Sequence, residues 1–194
     1  MSSSNIQISL PDGTRRSVPV GTLVATALTN ELTADVLAVK VNGVPKDLNS
    51  ALTDDCSLEP ITFASPEGKD VYRHSSSHIM AQAVKEVFPS AQVTIGPAIE
   101  EGFYYDFAFE RPFTPEDLEK IEAKTLELIK RNSSFQRKDM PRQQAIAFFK
   151  EKGEHYKAEI LESIPDEQVS LYDQGNFIDL CRGPHLPSTG HVGA

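Results

Sequence analysis

Apolar spacing changes character once along this chain, and the change limits it to two kinds of folding unit. Up to Phe63 the apolar residues alternate with polar ones or run in short β-branched stretches, and beyond Asp70 stretches at helical intervals enter among further short strands. The first pattern suits strands with one face buried, the second amphipathic helices. Between them, Ser65-Pro66-Glu67-Gly68-Lys69-Asp70 has the composition of a linker. A chain of 194 residues, 39% of them hydrophobic, can furnish two small cores. The expected class is α+β, with a small sheet domain over 1–64, a linker over 65–70 and a larger α+β domain over 71–194.

In the first part, Ile6-Gln7-Ile8-Ser9-Leu10 alternates, Pro11-Asp12-Gly13 turns, and Arg16-Ser17-Val18-Pro19-Val20 resumes the strand, which together predict a hairpin. Thr22 can cap a helix carrying Leu23, Val24, Ala27 and Leu28. A β-branched run from Val36 to Val41 stops at Asn42-Gly43, a strong turn signal, and Leu58 to Phe63 supplies a last strand. This β-β-α-β-β order is that of a ubiquitin-like grasp. In the second part, a helix near Tyr72 to Val87 carries Ile79, Ala83 and Val87 and stops before Pro89. A strand at Val93 to Ile95, a turn at Gly96-Pro97 and an aromatic-rich strand from Phe103 to Phe109 follow. Thr114-Pro115-Glu116-Asp117 is a helix start, with a capping hydroxyl, proline in the first turn and acids at the positive end of the dipole. That helix is expected to reach about Arg131 and to bury Leu118, Ile121 and Leu128. Another, from about Pro141 to Lys150, directs Ala145, Ile146 and Phe149 inward, and strands at Val169 to Tyr172 and Phe177 to Leu180 lead to Cys181.

The net charge of −9 argues against a nucleic-acid surface spread over the whole chain, so any RNA contact must be local. Lys130-Arg131, Arg137-Lys138 and Arg142 are candidates, but a solvated helix end and loop is the simpler reading. Nothing approaches the roughly 18 consecutive apolar residues of a membrane span, and Met1-Ser2-Ser3-Ser4 opens no leader, so a soluble, cytoplasmic protein without membrane contact is expected. Cys56 and Cys181 suggest no disulfide framework, which fits a reducing compartment and leaves thiol chemistry open at Cys181.

Two clusters carry the chemistry. His74-Ser75-Ser76-Ser77-His78 places two imidazoles on one helix face, and Cys181-Arg182-Gly183-Pro184-His185 brings a thiol and an imidazole together through a tight turn. Three imidazoles and one thiolate match the tetrahedral N/S preference of Zn²⁺, so a shared metal centre at His74, His78, Cys181 and His185 is one reading and a substrate pocket the other. A zinc protease is excluded, because Ser75 stands where the general-base glutamate belongs. Asp179, two residues before Cys181 on a strand, shares its face and can orient a histidine or bind an amine, or can simply bond to backbone. Lys157 can stabilise an oxyanion or bind phosphate, or be an ordinary surface lysine. Tyr104 and Tyr105 can line a pocket or pack in the core; His155 and His191 have no partner at telling spacing.

Leu10-Pro11-Asp12-Gly13 within the grasp-like order resembles the TGS domain. His74-Ser75-Ser76-Ser77-His78, Ile95-Gly96-Pro97, Gly102-Phe103-Tyr104-Tyr105-Asp106, Gly153-Glu154-His155-Tyr156-Lys157 and Asp179-Leu180-Cys181-Arg182-Gly183-Pro184-His185 together resemble the editing domain of bacterial threonyl-tRNA synthetases. The resemblance covers essentially the whole chain. It implies hydrolysis of serine wrongly esterified to threonine tRNA, needed because one missing methyl discriminates by only about 1–3 kcal/mol. It also implies a pocket of His74, His78, Tyr105, Lys157, Asp179, Cys181 and His185. In that pocket His74, Lys157, Cys181 and Asp179 are expected to be catalytic, with water favoured over Cys181 as nucleophile; His78, Tyr105 and His185 are expected to bind substrate. No obligatory cofactor is expected: Zn²⁺ at the His/Cys cluster is the less favoured alternative, and ATP with Zn²⁺ is expected only in a separate synthetic domain. The expected partners are the serine-charged acceptor end of tRNA(Thr) and the catalytic and anticodon-binding domains of a longer, homodimeric enzyme of which this would be the N-terminal part. A non-catalytic RNA- or protein-binding adaptor and a free-standing trans-editing factor are the rival readings.

Overall fold

In the computed structural model, which describes residues 4–193, Ile6 and Ile8 point inward from a strand, β1 (Asn5–Ser9), that pairs antiparallel with β2 (Arg15–Pro19). The expected domain ends at Met1 and Ala194 lie outside the described residues. The Asp12 carboxylate closes the hairpin turn by accepting from the Thr14 amide and hydroxyl, both at 2.8 Å. The expected helix is a single turn, α1 (Val24–Ala27), and Thr22 does not cap it: its hydroxyl donates to the Pro19 carbonyl and Leu23 takes the cap position without a side-chain bond. β3 (Val36–Val41) turns at Asn42 (φ 51°) and Gly43 (φ 81°) into β4 (Val44–Lys46), an exposed edge strand carrying a proline and too short to be read from sequence. β5 (Cys56–Thr62) completes a five-stranded sheet of order β2-β1-β5-β3-β4, with β1 and β5 parallel and the other neighbours antiparallel. Ile6, Ile8, Val24, Leu28, Val39 and Leu58 form its core.

The chain divides into two units: residues up to Tyr72 together with Gly183–Pro187, and Arg73–Arg182 together with the residues from Ser188 onward. The boundary falls inside a continuous helix, α2 (Pro66–Val87), which corrects the expectation of an irregular linker before Tyr72. Ser65 accepts from the Gly68 amide through its hydroxyl, and Pro66 and Glu67 occupy the first turn. That is a helix start of the same kind as Thr114-Pro115-Glu116.

In the second unit, the aromatic-rich stretch is broken into two small ribbons, β6 (Gln92–Val93) with β9 (Phe107–Ala108) and β7 (Ala98–Ile99) with β8 (Gly102–Phe103). α3 (Pro115–Arg131) begins at the expected capping box, with Thr114 and Asp117 each bonding the other's backbone, and buries Ile121 and Leu128. Leu118 is a correction, being 58% exposed on the outer face. A three-stranded antiparallel sheet of β10 (Gln136–Pro141), β11 (Gln168–Asp173) and β12 (Ile178–Leu180) then carries α4 (Arg142–Glu151) and α5 (His155–Ser163). Ala145, Ile146, Phe149, Ala158, Leu161 and Leu171 form the core between them. The fold is α+β, and among the described residues no helix is long and apolar enough to cross a membrane.

Candidate active site

α2 delivers His74 and His78 to one side of the second unit, where their rings meet edge to face at 83° with centroids 5.0 Å apart. The helix backbone beneath them is tied down from two directions. Gln174 donates its amide to the His78 carbonyl at 3.1 Å, and the Ser77 hydroxyl lies 2.8 Å from the His74 carbonyl and 3.3 Å from that of Gly96. Small serines between the histidines allow this close packing; Ser75 and Ser77 are both fully buried.

The antiparallel pairing of β11 with β12 brings the second cluster alongside. Tyr172 faces Asp179 across the ladder, and the Cys181 amide donates to the Ser170 carbonyl at 3.1 Å. Because strand side chains alternate, Asp179 and Cys181 emerge on one face. Cys181 Sγ lies 3.1 Å from His74 Nε2. Asp179 is buried, its Oδ1 2.8 Å from the ammonium of Lys157 and its Oδ2 accepting from the Tyr105 hydroxyl at 2.9 Å. Oδ1 also accepts from the Leu180 amide, so the backbone-bonding role of a strand-end carboxylate and the pocket role coexist.

Lys157 is no surface lysine: it is 4% exposed, and its Nζ also approaches the Tyr105 hydroxyl at 3.5 Å. It is carried on the first turn of α5, directly after a turn at Gly153 whose left-handed φ of 74° suits only glycine without strain. Tyr105 reaches the pair because Gly96 has no side chain; a Cβ there would sit 2.0 Å from the tyrosine ring. Tyr104 points outward and is 50% exposed.

These six side chains line one cavity of about 980 Å³, with Ile95, Gly96 and Pro97 on one wall and Arg137 and Arg182 among its other lining residues. Its size is at the upper end of small-ligand sites, which typically span about 300–1,000 Å³. Burial pushes His78 down to about 3, so its imidazole is neutral over the physiological range. Burial is the strongest influence on Asp179 and raises it, but the charges of Lys157 and His78 and the hydrogen bonds from Lys157 and Tyr105 together outweigh it and hold the carboxyl below the usual carboxylate range. Burial, reinforced by the Asp179 charge, drives the Tyr105 hydroxyl far above its ordinary value and keeps it protonated as a donor. The cavity therefore contains a neutral imidazole, a buried ammonium held by a carboxylate, and a hydroxyl donor.

The ligating atoms of His74, His78 and Cys181 lie within 4.8 Å of one another. Two imidazoles and a sulfur suit Zn²⁺, whose ligand distances of about 2.0–2.3 Å would require only a modest contraction of the group, so these residues fit a metal. His185 lies on the Gly183–Pro187 stretch that clusters with the first unit, where its ring is buried and its backbone amide donates to the Asp47 carboxylate at 2.8 Å. His155 and His191 are exposed. Of the basic candidates outside the cavity, Arg131 pairs with Glu127 and Glu86, and Lys138 with Asp173. Sequence reasoning missed Gln174, which gives no spacing signal, and the role of Gly96, which Ile95-Gly96-Pro97 marks only as a turn.

The family described as the threonyl and alanyl tRNA synthetase second additional domain matches residues 169–194, which include β12, the Cys181 cluster and all but the first residue of β11. The chain is 56% identical over 189 residues to a threonine–tRNA ligase of Azoarcus sp., covering 95% of this chain, and 57% identical over 189 residues to that of Aromatoleum aromaticum. It is 49% identical over 196 residues to the threonine–tRNA ligase of Symbiobacterium thermophilum, covering 99% of this chain. It spans about 30% of the length of each of these relatives.

Proposed function

From a chain that is a homologue of threonine–tRNA ligases along nearly its whole length, we infer a proofreading module that hydrolyses seryl-tRNA(Thr). The observation that carries this reading is the cavity lined by His74, His78, Tyr105, Lys157, Asp179 and Cys181, which gathers groups able to serve hydrolysis. An α+β unit with such a pocket supplies what the selection of threonine requires. A synthetic site that accepts threonine admits serine, which is smaller by one methyl, and a second site must then exclude threonine and accept serine.

In the proposed reaction His74 takes a proton from a water that attacks the ester carbonyl. The ammonium of Lys157 stabilises the oxyanion that forms, and collapse expels the terminal ribose hydroxyl, which regains a proton. Asp179 fixes Lys157 and the Tyr105 hydroxyl at the same time, so the cation is preorganised rather than recruited. Its carboxylate also suits the α-amino group of the esterified serine. His78, neutral and buried, lines the floor as an acceptor or donor without adding charge. His185 stays in the proposal on its four-residue spacing from Cys181 alone. A zinc ion bound by His74, His78 and Cys181 would supply a Lewis acid, but the pocket is read as working without an obligatory metal, because Lys157 already provides the positive charge.

The first unit is proposed to be a TGS domain on its strand order, with tRNA(Thr) as the partner of the whole. ATP-dependent ligation of threonine is proposed only for a longer enzyme that carries a synthetic domain. Single-turnover deacylation of seryl-tRNA(Thr) tests the reading. His74→Ala and Lys157→Ala are expected to lower the rate by about a hundredfold or more, in the range of general-base and oxyanion losses. Wild-type rates in both variants sink the assignment. Tight tRNA binding with no turnover by the unaltered chain replaces it with the adaptor reading.

A further inference from the structure

Behind the Lys157–Asp179 pair lies a second cavity of about 240 Å³, with Lys85, Glu154, Lys157 and Asp179 among its walls. Lys85, in the last turn of α2, uses all three of its ammonium protons there. It donates to the Pro89 carbonyl at 2.9 Å and the Ala91 carbonyl at 2.8 Å, and pairs with Glu154 Oε1 at 2.6 Å. Glu154 is the residue immediately before α5. Its other oxygen accepts from the Val93 amide at 3.4 Å, and its carbonyl accepts from the Ala158 amide at 3.2 Å. Gln92, beside Val93 in β6, accepts the His155 amide at 3.2 Å.

One ion pair thus clasps the helix that carries both histidines to the helix that carries the lysine. The Lys85 and Glu154 side chains are only 20% and 12% exposed, so their attraction is screened less than that of a surface pair. Only two residues separate Glu154 from Lys157 along the chain, and both lie on one turn, so a shift of the Glu154 anchor is passed to the ammonium rather than absorbed by a loop. Glu154 is also one of the charges that raise the Tyr105 hydroxyl, which places its field within the pocket.

We propose that Lys85 and Glu154 are positioning residues that hold α5 in register with α2, so that the Lys157 ammonium stands where the oxyanion develops; the proposal rests on the hydrolytic reading above. The test is a mutant cycle in single-turnover hydrolysis of seryl-tRNA(Thr), with Glu154→Gln, Lys157→Ala and the pair combined. Glu154→Gln is expected to lower the saturating rate about tenfold or more, since a displacement of about 1 Å can cost a hundredfold, while half-saturation stays within about twofold. On the Lys157→Ala background the same change is expected to cost nothing further. Ile146→Val, a core change in α4, should retain the wild-type rate. Lys85→Met, which breaks the clasp from the other side, should reproduce the Glu154→Gln loss and serves if that variant does not fold. Lys85→Arg, which keeps the charge, should recover part of the rate.

Wild-type turnover in Glu154→Gln, or an undiminished loss on the Lys157→Ala background, overturns the proposal and leaves the hydrolytic reading standing. If Lys157→Ala itself turns over at the wild-type rate, the hydrolytic reading falls, and the clasp is judged by lysine-selective NMR. The Lys157 ε-methylene signal should move on Glu154→Gln, and an unmoved signal refutes the clasp.

Discussion

The two units solve the problem of their interiors in opposite ways. In the first, the sheet buries Ile6, Ile8, Val39 and Leu58 against Val24 and Leu28 of one short helical turn, a cluster of apolar side chains. In the second, an apolar core of the same kind around Phe149, Leu161 and Leu171 stands beside a buried layer containing His78, Lys157, Asp179 and Gln174. Apolar burial alone is enough to define a sheet with one covered face. A buried ammonium and carboxylate, by contrast, are retained at a desolvation cost that hydrophobic side chains of the same volume would avoid. Where a fold keeps such groups together in a cavity, function is the better explanation of their presence than stability.

Breaking the buried pair on one side should produce the largest effect. Asp179→Ala leaves Lys157 as an uncompensated charge, and urea unfolding is expected to show a loss of about 3–5 kcal/mol in the second unit. Replacing both partners, Lys157→Met with Asp179→Leu, should restore most of that stability while leaving seryl-tRNA hydrolysis abolished, which sharpens the contrast between charge kept for chemistry and packing kept for folding. A loss below about 1 kcal/mol for Asp179→Ala would instead put the pair on a par with a surface ion pair and remove the contrast.

Acid should distinguish the units next. The folded protein holds His78 down at about 3, below its ordinary 6.5, so between these values the unfolded chain binds a proton that the folded unit refuses. Stability of the second unit therefore falls as pH drops from about 6.5 towards 3, and amide exchange at Ile79 and Gln82 should accelerate accordingly. His78→Gln should flatten that slope. Thr114→Ala removes the capping hydroxyl of α3 and is expected to cost about 1 kcal/mol by thermal unfolding. Ile8→Val in the apolar sheet should cost a comparable amount, about 0.5–1.5 kcal/mol, and leave hydrolysis untouched.

β1 and β2 of the first unit were legible because period two survives in the sequence, β3 because of its β-branched run, and Asn42-Gly43 marked the turn after it without help from tertiary context. The start of α3 was legible for a local reason as well, since Thr114 and Asp117 bond each other's backbone. Several elements were not, the short β4 among them. β10 is an edge strand whose Arg137, Lys138 and Asp139 face water, so no apolar alternation announces it. α5 has its inward face broken by a lysine, and a buried Lys157 reads in sequence as a position facing solvent. The start of α2 carries two opposed signals: Ser65-Pro66-Glu67 has the grammar of a helix start, and Gly68 next to it has that of a linker. The pairing of His74 with Cys181 was suggested by spacing, whereas the clasp of Lys85 to Glu154 joins residues far apart in sequence with no motif between them.

Gly96 has a consequence for altering what this pocket admits. Its missing side chain is occupied by the Tyr105 ring, so the bore of the cavity is gauged at a residue that contributes no atoms beyond backbone to it. Libraries aimed at other esterified amino acids would naturally vary the larger lining residues. Position 96 is the one to keep fixed, because even a methyl group there swings the tyrosine and with it the hydroxyl that the Asp179 carboxylate receives.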